Sequence, residues 1–231
     1  MKYNRNQDSS FWKLARSFLH EYMPIVRNLS DKTVESYKIS IKLYLTFIND
    51  EKNITNDKIT FDIFTRANMK DYIVWLKNKN ASAKTINLRM TALKSFLKYC
   101  SEEDFELRVF YNNACTIKGQ KIIKKPIEYL KPEATKAILS AFVGDTVKHR
   151  RNRMILILMY DSGCRVQEIA DLKVSSLHLD VRNPYMTVIG KGRKTRNVPL
   201  TRKTVLHLKN YLTEFHEESK DEYLFYSFLD N

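Results

Sequence analysis

The stretch from Tyr160 to Leu200 constrains this chain more than any other. It runs Tyr160-Asp-Ser-Gly-Cys-Arg-Val-Gln-Glu-Ile-Ala-Asp-Leu172, and after a short connection Met186-Thr-Val-Ile-Gly-Lys-Gly-Arg-Lys-Thr-Arg-Asn-Val-Pro-Leu200. The first half reads as a helix end, a turn and a new helix. Gly163 is free to take the left-handed conformation that stops a helix. Val166, Ile169 and Ala170 recur at helical spacing and predict the apolar face of the next helix. Arg165 and Glu168, three apart, are neighbours on another face. The second half predicts a β-hairpin: strand Met186 to Ile189, a basic turn from Gly190 to Arg196 punctuated by glycine, and a return strand Asn197 to Leu200.

The rest of the chain is helical in pattern. Glycine and proline number only 5 each in 231 residues, which favours a mainly helical chain over a β-sandwich. An amphipathic helix is expected over residues 10 to 23, ended or interrupted by Pro24. Ser30 caps a second helix through about Phe47. A third spans roughly Arg66 to Lys77, and a fourth Ala83 to Tyr99. Four helices in about a hundred residues predict a compact bundle. Periodicity is lost over residues 103 to 127, so a domain 1–108, a linker 109–126 rich in lysine, and a second domain 127–231 are expected. In the second domain, helices are predicted from Pro132 to Phe142, Lys148 to Asp161 and Thr201 to Phe215, with Tyr223 and Phe225 as core residues of the last segment.

Charge points to the partner. Lysine and arginine exceed acidic residues by 14, which fits a polyanion and nucleic acid first. An anionic membrane surface is the lesser alternative, because the basic residues are not gathered on one amphipathic helix. RNA is disfavoured by the lack of a base-stacking motif. No apolar run approaches the roughly 20 residues of a membrane span. The three cysteines, Cys100, Cys115 and Cys164, show no metal spacing and fit free thiols in a reducing cytoplasm. No metal and no cofactor are expected.

The two halves of the 160–200 stretch, in this order and at this separation, resemble the tyrosine recombinases, the family of phage integrases and Xer-type and Cre-type proteins. The first half is similar to the segment with the family's first catalytic arginine, here Arg165. The second is similar to the hairpin with its catalytic lysine, Gly-Lys-Gly followed by basic residues and Val-Pro-Leu, here Lys191. The phrases Ser30-Asp-Lys-Thr-Val-Glu-Ser-Tyr37 and Ser82-Ala-Lys-Thr-Ile-Asn-Leu-Arg89 resemble the two DNA-facing helix starts of the family's N-terminal core-binding domain. The resemblance implies a mainly α chain with a small β-hairpin or sheet: an N-terminal four-helix SAM-like domain, then the front part of a mixed α/β catalytic domain.

It also implies a chemistry. In the family a tyrosine attacks a DNA phosphate and leaves a 3′-phosphotyrosyl link without a metal. Arginine suits the transition state because its planar fork donates two hydrogen bonds and stays charged; one such preorganised donor is worth about 3 kcal/mol. Arg165 takes that role, with Glu168 supporting it. A lysine ammonium releases a proton, so Lys191 acts as general acid to the leaving oxygen. The implied DNA contacts are Lys32, Ser36, Lys38, Lys84, Thr85, Asn87 and Arg89 in the bundle and Arg193, Lys194 and Arg196 at the hairpin, with Asn87 and Arg89 the candidates for base edges. The partners implied are duplex DNA, held between the two domains, and other recombinase protomers on adjacent half-sites.

The chain departs from the family after Lys191. A His-x-x-Arg motif, a further His or Trp and the tyrosine nucleophile are expected there. His207 is followed by Leu-Lys-Asn, with Asn210 where arginine is required, and Tyr211, Tyr223 and Tyr226 lack the preceding motif. The expectation is therefore a truncated recombinase that binds duplex DNA and does not cleave it. The alternative is a non-catalytic DNA-binding regulator derived from one.

Overall fold

The computed structural model describes residues 5–123, 126, 129–142, 146–190, 192, 194–217 and 222–226. The chain is mostly helical with one small antiparallel sheet, and it divides into two units, Met1–Lys125 and Pro126–Asn231.

The first unit is built on helices α1 (Arg5–Ser17), α2 (Asp31–Lys52), α3 (Arg66–Asn78), α4 (Ala83–Glu103) and α5 (Arg108–Cys115). Each long helix turns an apolar stripe inward. Phe11, Phe18, Tyr44, Phe47, Phe61, Phe64, Tyr72 and Phe96 meet in one buried cluster, with ring centroids of neighbours 5 to 6 Å apart, as for Phe11–Phe96 at 5.8 Å and Tyr44–Phe64 at 5.0 Å. Aromatic pairs at such spacing add to area burial, by about 1 kcal/mol each.

Pro24 does not end the first helix. The chain continues from Phe18 to Val26 as a π-helix with Pro24 inside it. The wider turn is visible where Arg27 N–H donates to the Tyr22 carbonyl, five residues back, at 2.8 Å. The wider ring accommodates a residue that has no N–H to donate and that crowds the preceding turn of an α-helix.

Residues 109–115, expected within the linker, belong to α5 and pack on α4. Ala114 and Ile117 are buried in the first core. The stretch beyond is strapped to α4: Lys94 Nζ donates to the Ile117 carbonyl at 2.7 Å, and Asn87 both donates to the Gln120 carbonyl and accepts from its N–H. The asparagines 112 and 113 look like turn formers in sequence, but here they sit on the outward side of a helix whose apolar side has a core to join.

The second unit contains α6 (Pro132–Ala141), α7 (Val147–Ser162), α8 (Val166–Ala170), strands β1 (Leu177–His178), β2 (Tyr185–Ile189) and β3 (Thr195–Pro199), and α9 (Arg202–His216). Gly163 stops α7 at φ +61, the left-handed cap its sequence position predicts. The sheet is antiparallel in the order β1-β2-β3. Its register pairs Met186 with Val198 and Val188 with Arg196. Met186, Val188 and Val198 are buried against Leu158, Ile169, Leu208 and Phe215. The last described segment adds to this core through Leu224, whose N–H donates to the Leu172 carbonyl at 2.8 Å. Leu224 is fully buried, while Tyr223 is 46 % exposed and lies against the Lys173 ammonium instead of in the core; Phe225 packs partly buried.

Candidate nucleic-acid interface

α8 is one and a half turns long and uses an unexpected face. Val166 is 64 % exposed and Ala170 is also exposed, whereas Ile169 and the charged Glu168 are buried. A buried carboxylate is costly unless its lone pairs are filled. Here they are. Glu168 Oε1 accepts from Arg165 Nη1 at 2.8 Å and Arg196 Nη1 at 2.9 Å; Oε2 accepts from the Arg165 backbone N–H at 2.9 Å and Arg196 Nη2 at 2.8 Å. Those bonds, the Arg196 fork first and the Arg165 backbone N–H next, hold the Glu168 carboxyl well below the usual carboxylate range, and Glu168 in turn raises the Arg196 guanidinium.

The two arginines differ in what they have left to offer. Arg165 is the residue before the first turn of α8, and its side chain is 68 % exposed. One Nη is on Glu168; the rest of the guanidinium faces outward. Arg196 places both Nη atoms on Glu168, with Nη2 also 3.6 Å from Cys164 Sγ. Strand alternation explains it: Arg196 is directly opposite Val188 and two residues before Val198, both of which face the core. The sequence carried this signal in its period of two.

The hairpin turn bears the remaining candidates. Gly190 N–H donates to the Lys194 carbonyl at 2.8 Å, closing the turn, and Gly192 sits at φ +77, where glycine is favoured. Lys194 is exposed. Lys191 and Arg193 lie outside the described residues.

In the first unit both Ser-x-Lys-Thr phrases start a helix with their Ser and Thr hydroxyls paired, but Ser30 makes no side-chain cap bond to the backbone of α2, whereas Ser82 caps α4. The Ser30 and Thr33 hydroxyls are 3.0 Å apart at the start of α2; those of Ser82 and Thr85 are 2.9 Å apart at the start of α4. Ser82 Oγ also accepts from the Thr85 N–H at 3.1 Å, a side-chain helix cap. Lys32 and Lys84 therefore stand in the first turn of a helix, where backbone N–H groups and the helix dipole favour an anion. Lys84 and Lys38 are exposed, Lys38 lying 3.6 Å from Glu35; Ser36 and Thr85 are half-buried.

Two bundle candidates are occupied internally. Arg89 Nη1 donates to the Ser36 carbonyl and to Ser40 Oγ at 2.9 Å, tying α4 to α2. Asn87 uses both ends of its amide on Gln120. Among the tyrosines considered as nucleophiles, Tyr211 is buried and burial raises its phenol, and the Tyr226 hydroxyl donates to the Phe215 carbonyl at 2.8 Å. His207 and Asn210 lie on the exposed side of α9, beside a shallow cavity they share with Arg150, Arg153 and Glu214.

An α-helical bundle followed by a helix–hairpin unit is the architecture of the phage integrases, as the comparisons show. The profile described as "Phage integrase, N-terminal SAM-like domain" matches residues 17–104, and that of the "Phage integrase family" matches residues 128–231. A tyrosine recombinase of Pseudothermotoga lettingae is 31% identical over 207 residues, covering 89% of this chain and 67% of that protein. Tyrosine recombinase XerC of Chlamydia muridarum is 28% identical over 205 residues, covering 83% of this chain. This chain spans 64% of that XerC's length. The Tn1549 transposon integrase, solved in complex with transposon right end DNA, shares the fold at a TM-score of 0.65 and 16% identity, over 93% of this chain and 70% of that one. XerH recombinase bound to its difH substrate does so at 0.64 and 20%, over 87% and 58%. The chain belongs to the tyrosine recombinase, or phage integrase, family.

Proposed function

We propose that this chain is the DNA-binding portion of a site-specific recombinase, with both units contributing contacts to one duplex and with further protomers on adjacent half-sites. The bundle contributes Lys32, Ser36, Lys38, Lys84 and Thr85 at its two matched helix starts, and Asn87 and Arg89 hold those helices in place. The second unit contributes the hairpin with Lys191, Arg193 and Lys194, and Arg165. The observation that carries the reading is the state of Arg165: anchored by a buried carboxylate, yet largely exposed, as a phosphate-binding fork requires. In an enzyme that also supplied the nucleophile, Arg165 would stabilise charge on the phosphate and Lys191 would protonate the leaving oxygen. Among the described residues no helix is long and apolar enough to cross a membrane; we place the protein's work in the cytoplasm.

Strand cleavage also needs a nucleophile in line with the phosphate. Tyr211 is buried, the Tyr226 hydroxyl is bonded to the Phe215 carbonyl, and the exposed Tyr223 lacks the family motif that precedes the nucleophile; on this reading the 231-residue chain binds without cleaving. A gel-shift titration tests binding: affinity falls steeply with salt, each phosphate contact adding about 0.9 to the log–log slope. Salt-insensitive binding, or none at low salt, overturns it. Denaturing electrophoresis with a nicked duplex tests cleavage. No covalent adduct is expected, and a band lost on Tyr223→Phe would relocate the nucleophile. A chain spliced to the missing family motifs and recovering an adduct, lost again on Arg165→Ala, would support the assigned roles.

A further inference from the structure

Arg196 was read from sequence as a DNA contact, and its geometry argues otherwise. Both Nη atoms are on the Glu168 carboxylate, at 2.9 and 2.8 Å, in the paired fork that arginine forms with a carboxylate. Its place opposite Val188 turns it to the core face of the sheet. One carboxylate between two guanidinium groups leaves one positive charge over, and the more exposed arginine of the two is Arg165, whose side chain is 68 % exposed against 43 % for Arg196.

A second observation is steric. A Cβ at Gly190 would lie 2.9 Å from Arg196 Nη1, 3.3 Å from Glu168 Oε1 and 3.6 Å from the Lys194 carbonyl oxygen. The first residue of the hairpin turn therefore rests directly on the ion pair, and a side chain there would push on the Arg196 fork. We propose that Arg196 is a positioning residue: its fork with Glu168 is the seat on which Gly190 sets the hairpin turn, so that Arg165 and the turn keep one mutual geometry. This rests on reading Arg165 as the phosphate-binding arginine. Glu168 is the shared part. It grips Arg165 at the start of α8 through two bonds and β3 through two more, so a shift in either arginine is felt by the other.

The test uses the intact 231-residue chain and three variants. Arg196→Lys keeps the charge and loses the fork, since an ammonium is a point donor. Gly190→Ala touches neither charge and pushes on the fork from the turn. Glu168→Gln removes the shared acceptor. The first readout is the arginine side-chain ¹⁵N–¹H spectrum without DNA. Arg196→Lys and Gly190→Ala are both expected to shift the Arg165 guanidinium signals and speed their exchange with water. The second readout is duplex affinity at fixed salt. Arg196→Lys and Glu168→Gln are expected to be non-additive, with a coupling of about threefold or more in Kd. A part that is merely structural lowers the unfolding midpoint and leaves the Arg165 signals of the folded protein in place; that result overturns the inference. So do additive effects on Kd, which assign Arg196 to the DNA. If Arg196→Lys does not fold, Gly190→Ala alone decides through the Arg165 signals. Failure of the wild-type chain to bind duplex DNA sinks the proposed function but leaves the spectrum of the DNA-free chain to decide the fork.

Discussion

Glu168 concentrates the chemistry of the second unit in one side chain. It is buried, ionised and saturated with four donors from two arginines. Its carboxyl titrates below the ordinary value, so the folded state binds its proton less readily than the unfolded state. The stabilisation is thus complete above the ordinary glutamate pKa of about 4.3 and is lost as pH falls from there toward the depressed folded value. Glu168→Gln is expected to lower stability at neutral pH, and the difference from wild type to close on acidification below about pH 4. Urea unfolding at several pH values measures this; a gap that stays constant to low pH contradicts it. In sequence, Glu168 reads as the support of Arg165, three residues before it. The pair is real, but its stronger partner is 28 residues away, and only the closing of the hairpin brings it near.

Helix starts and stops were the elements most open to reading. Ser82 caps α4 with a direct bond to the Thr85 N–H, so Ser82→Ala is expected to cost about 1 kcal/mol, read as a lowered urea midpoint of the first unit. Gly163 holds φ +61 with nothing within 4 Å of a built Cβ, so Gly163→Ala meets backbone strain without a clash and costs about 1 kcal/mol. The π-helical stretch around Pro24 and helix α5 were not legible, for one reason: each depends on packing. A proline reads as a stop until a neighbouring core makes a widened turn worthwhile, and Asn112-Asn113 reads as a loop until Ala114 and Ile117 find α4. The strapping of Ile117 and Gln120 to α4 protects the first part of the expected linker 109–126 from proteolysis. Limited trypsin digestion should cut first at Lys121 or beyond, with Lys118 protected by the backbone bonds on either side of it. An early fragment ending at Lys118 would show that the strap is loose.

At the scale of the whole molecule, two cores serve a chain with a net charge of +14. The first is aromatic, and Phe96 touches Phe11, Phe18, Phe61 and Phe64 at its centre. Phe96→Ala is expected to destabilise the first unit by about 3–5 kcal/mol, measured by denaturant unfolding. The duplex affinity of whatever remains folded should then fall with it, because Ser36, Arg89 and the helix starts hang on that packing. The excess positive charge steers a polyanion but assigns no contact; which lysines face the duplex depends on the helix starts that present them.

Local rules were enough for the Ser82 helix start, the glycine stop at Gly163, the presence of the hairpin and the family, but not for the Ser30 cap or for Arg196, which was read as turn and lies in β3. What was legible is written in consecutive residues, through caps, turn chemistry and periods of 3.6 and 2. Tertiary structure decided which polar groups remain free to act. Asn87 uses its amide on Gln120 and Arg89 uses Nη1 on α2, while Arg196 places both Nη atoms on Glu168 and Arg165 stays the more exposed arginine. The physical reason is that a buried polar atom must find a partner, and partners are chosen by closeness in space. Residues such as 168 and 196, or 87 and 120, become neighbours only once the chain has packed.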